Sequence, residues 1–294
     1  MSTTSNRDLP YNLNKRYDDT MPDPTSRPSA DLIRYTTRNR VTTLTMDMPK
    51  RLNGWTLAMM DALKAALRRA ADDEGTAAVI LTGTDPYYSA GVNLSSTIKM
   101  SHPRTLRAMI VEHNEGLFNT FLAFHKPILV AANGPAIGAS VTSATLCDAI
   151  IASEKATFST PFAAVGVPAE GCSSLLFPRI LDAAADRMLG KEGWKPTAAE
   201  ALQAGLINWV VPHETLLDEA QRIAEEWVEA GRTRTFRGGC TLEELQAVNA
   251  DESRRVADAF LNTPFLSAQY KFLWKKKKRG PAMMFLALRL AHPA

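Results

Sequence analysis

The alternation of apolar and polar positions divides the chain into short strands and longer helices. LIRYTTRNRVTTLTMD holds two alternating, β-branched runs about Arg38-Asn39-Arg40, which predicts a hairpin ended by Met48-Pro49. Leu57, Met60, Leu63, Ala66, Leu67 and Ala70 fall at helical spacing over 55–71, with Asn53 as the expected cap. AAVILTGT (77–84) is a continuous apolar run ending in Thr-Gly, the pattern of a strand buried on both faces. Helical spacing resumes over 104–124 with Leu106, Met109, Ile110, His113, Leu117, Phe121 and Phe124, and Lys126-Pro127 stops it. PILVAANG (127–134) predicts a second buried strand, AIIAS a third and ATFSTP a fourth, with a small-residue helix in SVTSATLCD.

The later part reads as mostly helical. SLLFPRILDAAADRMLG predicts one helix with a proline turn near its start. PTAAEALQAGLINWVVP predicts a helix, a Gly205 cap and a strand. One amphipathic helix is expected over 214–230, and TLEELQAVNADESRRVADAF and TPFLSAQYKFLWKKKKRG predict two more. The fold class is therefore α/β, strands alternating with helices before a helical C-terminal part.

Composition narrows the function classes. Residues 1–29 are rich in Ser, Thr, Asn, Asp, Pro and Arg and predict a disordered tail that buries nothing. A net charge of +3 over 294 residues is too small to argue for a nucleic-acid partner. No run of about 18 apolar residues predicts a membrane span. Cys147, Cys172 and Cys240 are widely spaced and odd in number, so they read as reduced thiols of an intracellular protein, with no metal spacing.

The chemistry concentrates in three loops. In FSTPFAAVGVPAEGCSS (158–174), Glu170 is the one carboxylate in an almost uncharged run. Its neighbours Ala169, Gly171, Cys172, Ser173 and Ser174 are small, which allows a ligand near the backbone. An acid among apolar groups has its charged form disfavoured, so its pKa rises toward that of a useful general base. On this stretch alone a solvated loop glutamate is an equal reading. Ala90-Gly91-Val92 and Ile137-Gly138-Ala139 are strand-to-loop transitions of small residues. Each can present a bare backbone N–H, and two such groups on one carbonyl oxygen make an oxyanion hole.

Taken together, AVILTG…AGVNL, KPILVAANGPAIGAS, CDAIIASEKATFSTPF, PAEGCSS and TAAEALQAGLINWVV resemble the crotonase (enoyl-CoA hydratase/isomerase) superfamily from about residue 33 to the C-terminus. PAEGCSS is similar to the peroxisomal-type Δ3,Δ2-enoyl-CoA isomerases. The resemblance implies a spiral of ββα turns over 30–213 and a C-terminal helical trimerisation region over 214–294. It implies oxyanion donors at the N–H groups of Val92 and Ala139, and substrate contacts at Ala90, Gly91, Asn93, Leu94 and Gly138. Glu170 matches the isomerase glutamate. The implied substrate is an acyl-CoA, the implied partners further copies of the chain in a homotrimer or hexamer, and no metal or redox cofactor is implied, since CoA arrives with the substrate.

Hydratases of the family use two glutamates, and this chain has Thr142 and Phe162 at those places. A double-bond shift needs one proton-carrying group, whereas adding water needs two. Thr142 is read as bonded back to a helix carbonyl, Phe162 as pocket lining or core, Cys172 as a buried inert thiol, and His113 and His125 as helix-surface residues. Asp148 is read as fixing a turn. Lys50-Arg51 and Lys275 to Lys278 with Arg279 are basic clusters suited either to CoA phosphates or to a solvated face. The expected reaction is a Δ3-to-Δ2 enoyl-CoA isomerisation. The alternatives are a hydratase or other crotonase reaction, and a non-catalytic acyl-CoA-binding protein. AHPA does not match the SKL-type address. The compartment is read as cytoplasmic or, by the resemblance, peroxisomal.

Overall fold

A computed structural model describes residues 32–92, 102–190, 192–275 and 277–291. The expectation of a disordered tail over 1–29 lies outside them, as do Asn93 and Leu94.

β1 (Ile33–Arg38) and β2 (Val41–Met46) form the expected hairpin, turned by Asn39 and Arg40, both at positive φ. β3 (Ala78–Gly83), β4 (Ile128–Ala132), β6 (Ala149–Ser153) and β8 (Trp209–Val211) then add in parallel, giving a six-stranded sheet in the order β1-β2-β3-β4-β6-β8. Each parallel step needs a crossover, and helices supply the cover. Every residue of β3, β4 and β6 is buried. The continuous apolar runs have this cause, because alternate side chains enter different cores. Val79, Leu81, Ile128, Val130, Ile150 and Ala152 join the larger core with α1 (Leu57–Asp72). Ile80, Leu129, Ala131, Ala149 and Ile151 meet Leu216, Ala220, Ile223, Ala224 and Trp227 of α8 (Leu216–Glu229) on the other face. Each buried Val, Leu or Ile among them stabilises the fold by about 1.5–3 kcal/mol.

A second, two-stranded sheet accompanies the large one. β5 (Ala136–Ile137) pairs in parallel with β7 (Phe158–Ser159), and Ser89 bridges Ala136. The segments after β3, β4 and β6 thus lie side by side, so three successive turns repeat one path. ATFSTP contributes a two-residue strand to this layer rather than a fourth strand of the main sheet.

Two further local expectations are corrected. Thr56, not Asn53, caps α1, its hydroxyl accepting from Met59 N–H at 3.2 Å. Asn53 is buried at positive φ and ties the loop after β2 to the loop after β3. Its Nδ2 donates to the Thr84 and Tyr87 carbonyls, both at 2.7 Å, and its Oδ1 accepts from Met48 N–H at 2.9 Å. SLLFPRILDAAADRMLG is not one helix. α5 (Ser173–Leu181) stops where Asp182 takes φ 48°, a 3-10 turn follows, and α6 is Ala185–Leu189.

The remaining elements are α2 (Pro103–Leu122), α3 (Ala139–Thr145), α4 (Phe162–Val165), α7 (Ala198–Gln203), α9 (Leu242–Leu261), α10 (Thr263–Lys275) and α11 (Arg279–Ala291). Helix α9 lies along α2 of the same chain. Phe260, Phe265, Phe285 and Leu288 of the last three helices build a separate core that reaches Leu106 and Val167.

Candidate active site

A cavity of about 250 Å³ opens between α1, α2, α9 and the small-residue loops. Ala90, Val92, Gly138, Ala139 and Glu170 all line it, together with Phe162. Gly91 does not; it packs behind. It holds φ 73°, and a Cβ there would sit 2.2 Å from the Ile137 carbonyl oxygen and 3.7 Å from the Ala139 nitrogen. Only glycine lets the two loops touch at this point.

Four N–H groups of these loops are engaged. Ala90 N–H donates to Leu52 O, Gly91 N–H to Ser89 Oγ, Ile137 N–H to Ser89 O and Gly138 N–H to Ser159 O. Among the described residues no acceptor meets the N–H of Val92 or of Ala139. Ala139 opens α3, where the first N–H groups of a helix have no partner within it. Gly138 at φ 60° makes the turn into that helix, and open space lies where its side chain would be.

Glu170 lies between α4 and α5 and is buried, yet its carboxylate has no hydrogen-bond partner among the described residues. Burial pushes its pKa up to about 8, and the charge of Glu252 adds to the shift. Its own carbonyl oxygen is held by Ser173, the hydroxyl at 2.6 Å and the N–H at 3.2 Å.

The small residues beside Glu170 serve packing rather than ligand approach, contrary to the sequence expectation. A Cβ on Gly171 would meet Thr142 Oγ1 at 2.5 Å and the Phe118 ring at 2.6 Å, and Cys172 and Ser173 are buried.

The other singled-out residues fall as follows. Thr142 Oγ1 donates to Ala139 O at 3.3 Å, the helix back-bond expected of it. Cys172 Sγ donates to Leu245 O at 3.2 Å, and burial drives its thiol pKa upward, away from reactivity. His125 is exposed beside Phe124. His113 is exposed on α2 with Nδ1 2.7 Å from Met109 O, but it also lines the cavity, a position the helical spacing alone did not indicate. Asp148 does more than fix a turn, accepting from Ile128 N–H, Thr235 N–H and the Arg234 guanidinium. Lys50 and Arg51 sit in the 3-10 turn directly before Leu52, whose carbonyl receives Ala90 N–H. Lys276 lies outside the described residues, and no described member of the C-terminal basic cluster lines the cavity.

The sequence reading missed Glu252 of α9. It is buried, and its Oε2 accepts from Cys172 N–H at 2.6 Å while Oε1 accepts from Ser174 N–H at 2.8 Å. Among the described residues no three His, Cys, Asp or Glu side chains group as metal ligands, and no helix is long and apolar enough to cross a membrane.

The chain is similar to known proteins. The chain is 31% identical over 264 residues to enoyl-CoA delta isomerase 2 of Rattus norvegicus, covering 84% of this chain and 64% of that protein, just under two thirds of its length. It is 29% identical to the peroxisomal enoyl-CoA delta isomerase 3 of Mus musculus, covering 87% of this chain and 82% of that one. An enoyl-CoA hydratase/isomerase structure from Pseudoalteromonas atlantica superposes with a TM-score of 0.66 at 30% identity, covering 83% of this chain and 97% of the other. The profile of the enoyl-CoA hydratase/isomerase family matches residues 36–253, and the chain belongs to that family, with its crotonase fold.

Proposed function

We propose that the protein moves a double bond of an acyl-CoA from the Δ3 to the Δ2 position. The thioester oxygen accepts hydrogen bonds from the N–H groups of Val92 and Ala139. Ionised Glu170 removes a proton from C2, the electrons spread into a dienolate whose oxygen faces those donors, and the protonated Glu170 returns the proton at C4. Charge that develops on the oxygen meets preorganised donors, each worth about 10²–10³-fold in rate in related oxyanion sites.

The observation that carries this reading is the lone carboxyl. Glu170 is the one carboxylate among the residues lining the cavity, and it is buried without a compensating donor. Phe162 faces the same cavity, and Thr142 is buried with its hydroxyl bonded to Ala139. Neither can activate a water. Relatives named as delta isomerases agree with a one-carboxylate reaction. The CoA part would follow the backbone of Ala90 to Leu94, near Lys50 and Arg51, and no metal or redox step enters the scheme. The assembly we expect is a trimer or hexamer, and light scattering at the 32.2 kDa monomer mass would contradict it.

The test is product analysis of purified protein given trans-3-enoyl-CoA and trans-2-enoyl-CoA separately. The expected result is interconversion of the two without 3-hydroxyacyl-CoA. Accumulation of 3-hydroxyacyl-CoA from the 2-enoyl substrate would overturn it.

A further inference from the structure

We infer that Glu252 is a positioning residue for Glu170, its carboxylate clamping from α9 the backbone turn that carries the base. The inference rests on the reading of Glu170 as the proton carrier.

The turn needs a clamp. Gly171 and Cys172 stand in the left-handed region at φ 64° and 63°, and Cys172 has a side chain, so its conformation is unfavourable in isolation. Cys172 is also the N-cap of α5, a nine-residue helix that no side chain of its own turn caps. Three successive N–H groups point out of this helix start. Ser173 N–H is taken by Glu170 O, while Cys172 N–H and Ser174 N–H are taken by the two oxygens of Glu252. One carboxylate from 80 residues away thus does what a capping side chain ordinarily does locally.

The clamp is itself anchored. On α9, Leu245 O receives the Cys172 thiol, Asn249 Nδ2 donates to Glu115 O and Asn119 Oδ1 at 3.0 Å each, and Ser253 Oγ accepts from Asn114 at 3.0 Å. Glu115, Asn119 and Asn114 belong to α2, which supplies the cavity wall from Leu106 to Leu117. Helix α9 therefore ties the base and the substrate wall to one rigid element. Glu252 is not a second catalytic acid. It does not line the cavity, and backbone N–H groups hold both of its oxygens.

The clamp also carries charge. From α9, Glu252 is the acid that faces Glu170, with Arg255 beside it; from α2, His113 lines the same cavity; from the turn itself comes the buried Cys172 thiol; α3 and α4 present neutral Ala139, Thr142 and Phe162. Burial raises the pKa of Glu252, and its bonds to Ser174 and Cys172 work against that rise.

Two variants of the full chain separate geometry from charge. Glu252→Gln removes the charge and turns an NH₂ toward one of two N–H donors. Glu252→Asp keeps the charge and is one methylene too short to reach both. Two readouts are needed. The first is the substrate-free infrared titration of the Glu170 carboxyl, its band assigned by loss in Glu170→Gln. The second is kcat and KM on trans-3-enoyl-CoA.

In Glu252→Gln we expect the Glu170 midpoint to fall from about 8. We expect kcat to drop about 10²-fold, the scale of a small misplacement of a reacting group, with KM within about twofold. In Glu252→Asp the midpoint should stay and kcat should still fall, by less. A folded Glu252→Gln with unchanged midpoint and unchanged kcat overturns the inference. Should that variant not fold, wild-type kcat in Glu252→Asp overturns it. If the wild type does not isomerise, the positioning role falls with the proposed reaction, and a midpoint that still moves in Glu252→Gln then reports only the charge of Glu252.

Discussion

Two buried carboxylates, Asp148 at 6% exposure and Glu170 at 8%, have opposite surroundings. Asp148 meets the Arg234 guanidinium at 2.8 Å and accepts from Ile128 N–H, Thr235 N–H and the Thr235 hydroxyl, so each oxygen is occupied. Arg234 in turn donates to Leu146 O at 2.6 Å. This cluster ties β4, the start of β6 and the segment after α8 together. Among the described residues Glu170 has no such donors, and the charge that adds to its shift is another acid, Glu252. Equal burial therefore goes with a fully bonded carboxylate in one place and, in the other, with one whose pKa is pushed up to about 8. The difference lies in what surrounds the carboxylate, because a buried charge is tolerated only when paired and hydrogen-bonded.

The largest effect that would sharpen this contrast is on chemistry. Glu170→Gln keeps volume and shape but carries no proton, so kcat for isomerisation should fall beyond the roughly 10²–10⁴-fold of an assisting general base. Acyl-CoA binding, measured by calorimetry, should change by less than about 1 kcal/mol. Asp148→Asn should do the reverse. It leaves Arg234, whose side chain is 7% exposed, without its counter-charge, and unpairing a buried ion costs about 3–5 kcal/mol. Urea unfolding should show that loss, with kcat of the folded protein preserved.

The same contrast was only partly readable from the chain. Glu170 stood out because it is the one charge in an uncharged run, and the Gly91 and Gly138 loops because small residues follow apolar strands. The alternating faces of β3, β4 and β6 account for the rest of the core. Glu252 was hidden for a physical reason. In QAVNADESRRVADAF it sits among Asp251, Arg254 and Arg255, and a glutamate there reads as one more solvated charge on an amphipathic helix. Only the pairing of α9 with α2 and α5 shows that Asn249, Glu252 and Ser253 form a buried polar stripe. Asn53 was misread for a similar cause. A cap residue and a loop-tying residue look alike in sequence, and tertiary contacts to Thr84 and Tyr87 decided between them. Asp182 ends α5 at a positive φ that no helical periodicity announces.

A smaller effect concerns stability against pH. The folded Glu170 pKa of about 8 lies above its ordinary 4.5. The neutral form is thus favoured by folding, and its contribution is fully present below about pH 4.5 and lost as pH rises through about 8. Glu170→Gln should therefore be as stable as the wild type in acid and more stable by a few kcal/mol above about pH 8. Equal melting temperatures of the two proteins across that range would contradict the buried, unpaired placement.

The smallest effect is at Thr142. Thr142→Val removes one back-bonded hydroxyl, so stability should fall by about 1 kcal/mol and kcat should change by less than about threefold. A much larger loss of turnover would give that hydroxyl a part in the chemistry.

The most direct test of Glu170 as the sole proton carrier is the pH dependence of kcat/KM for trans-3-enoyl-CoA, which reports the essential groups of the free enzyme. The base must be ionised, so kcat/KM should rise about tenfold per pH unit below the midpoint and level off above about 8. The residual activity of Glu170→Gln should lack this limb. A profile flat from about pH 5 to 9 in the wild type, or the same limb surviving in Glu170→Gln, would contradict the account.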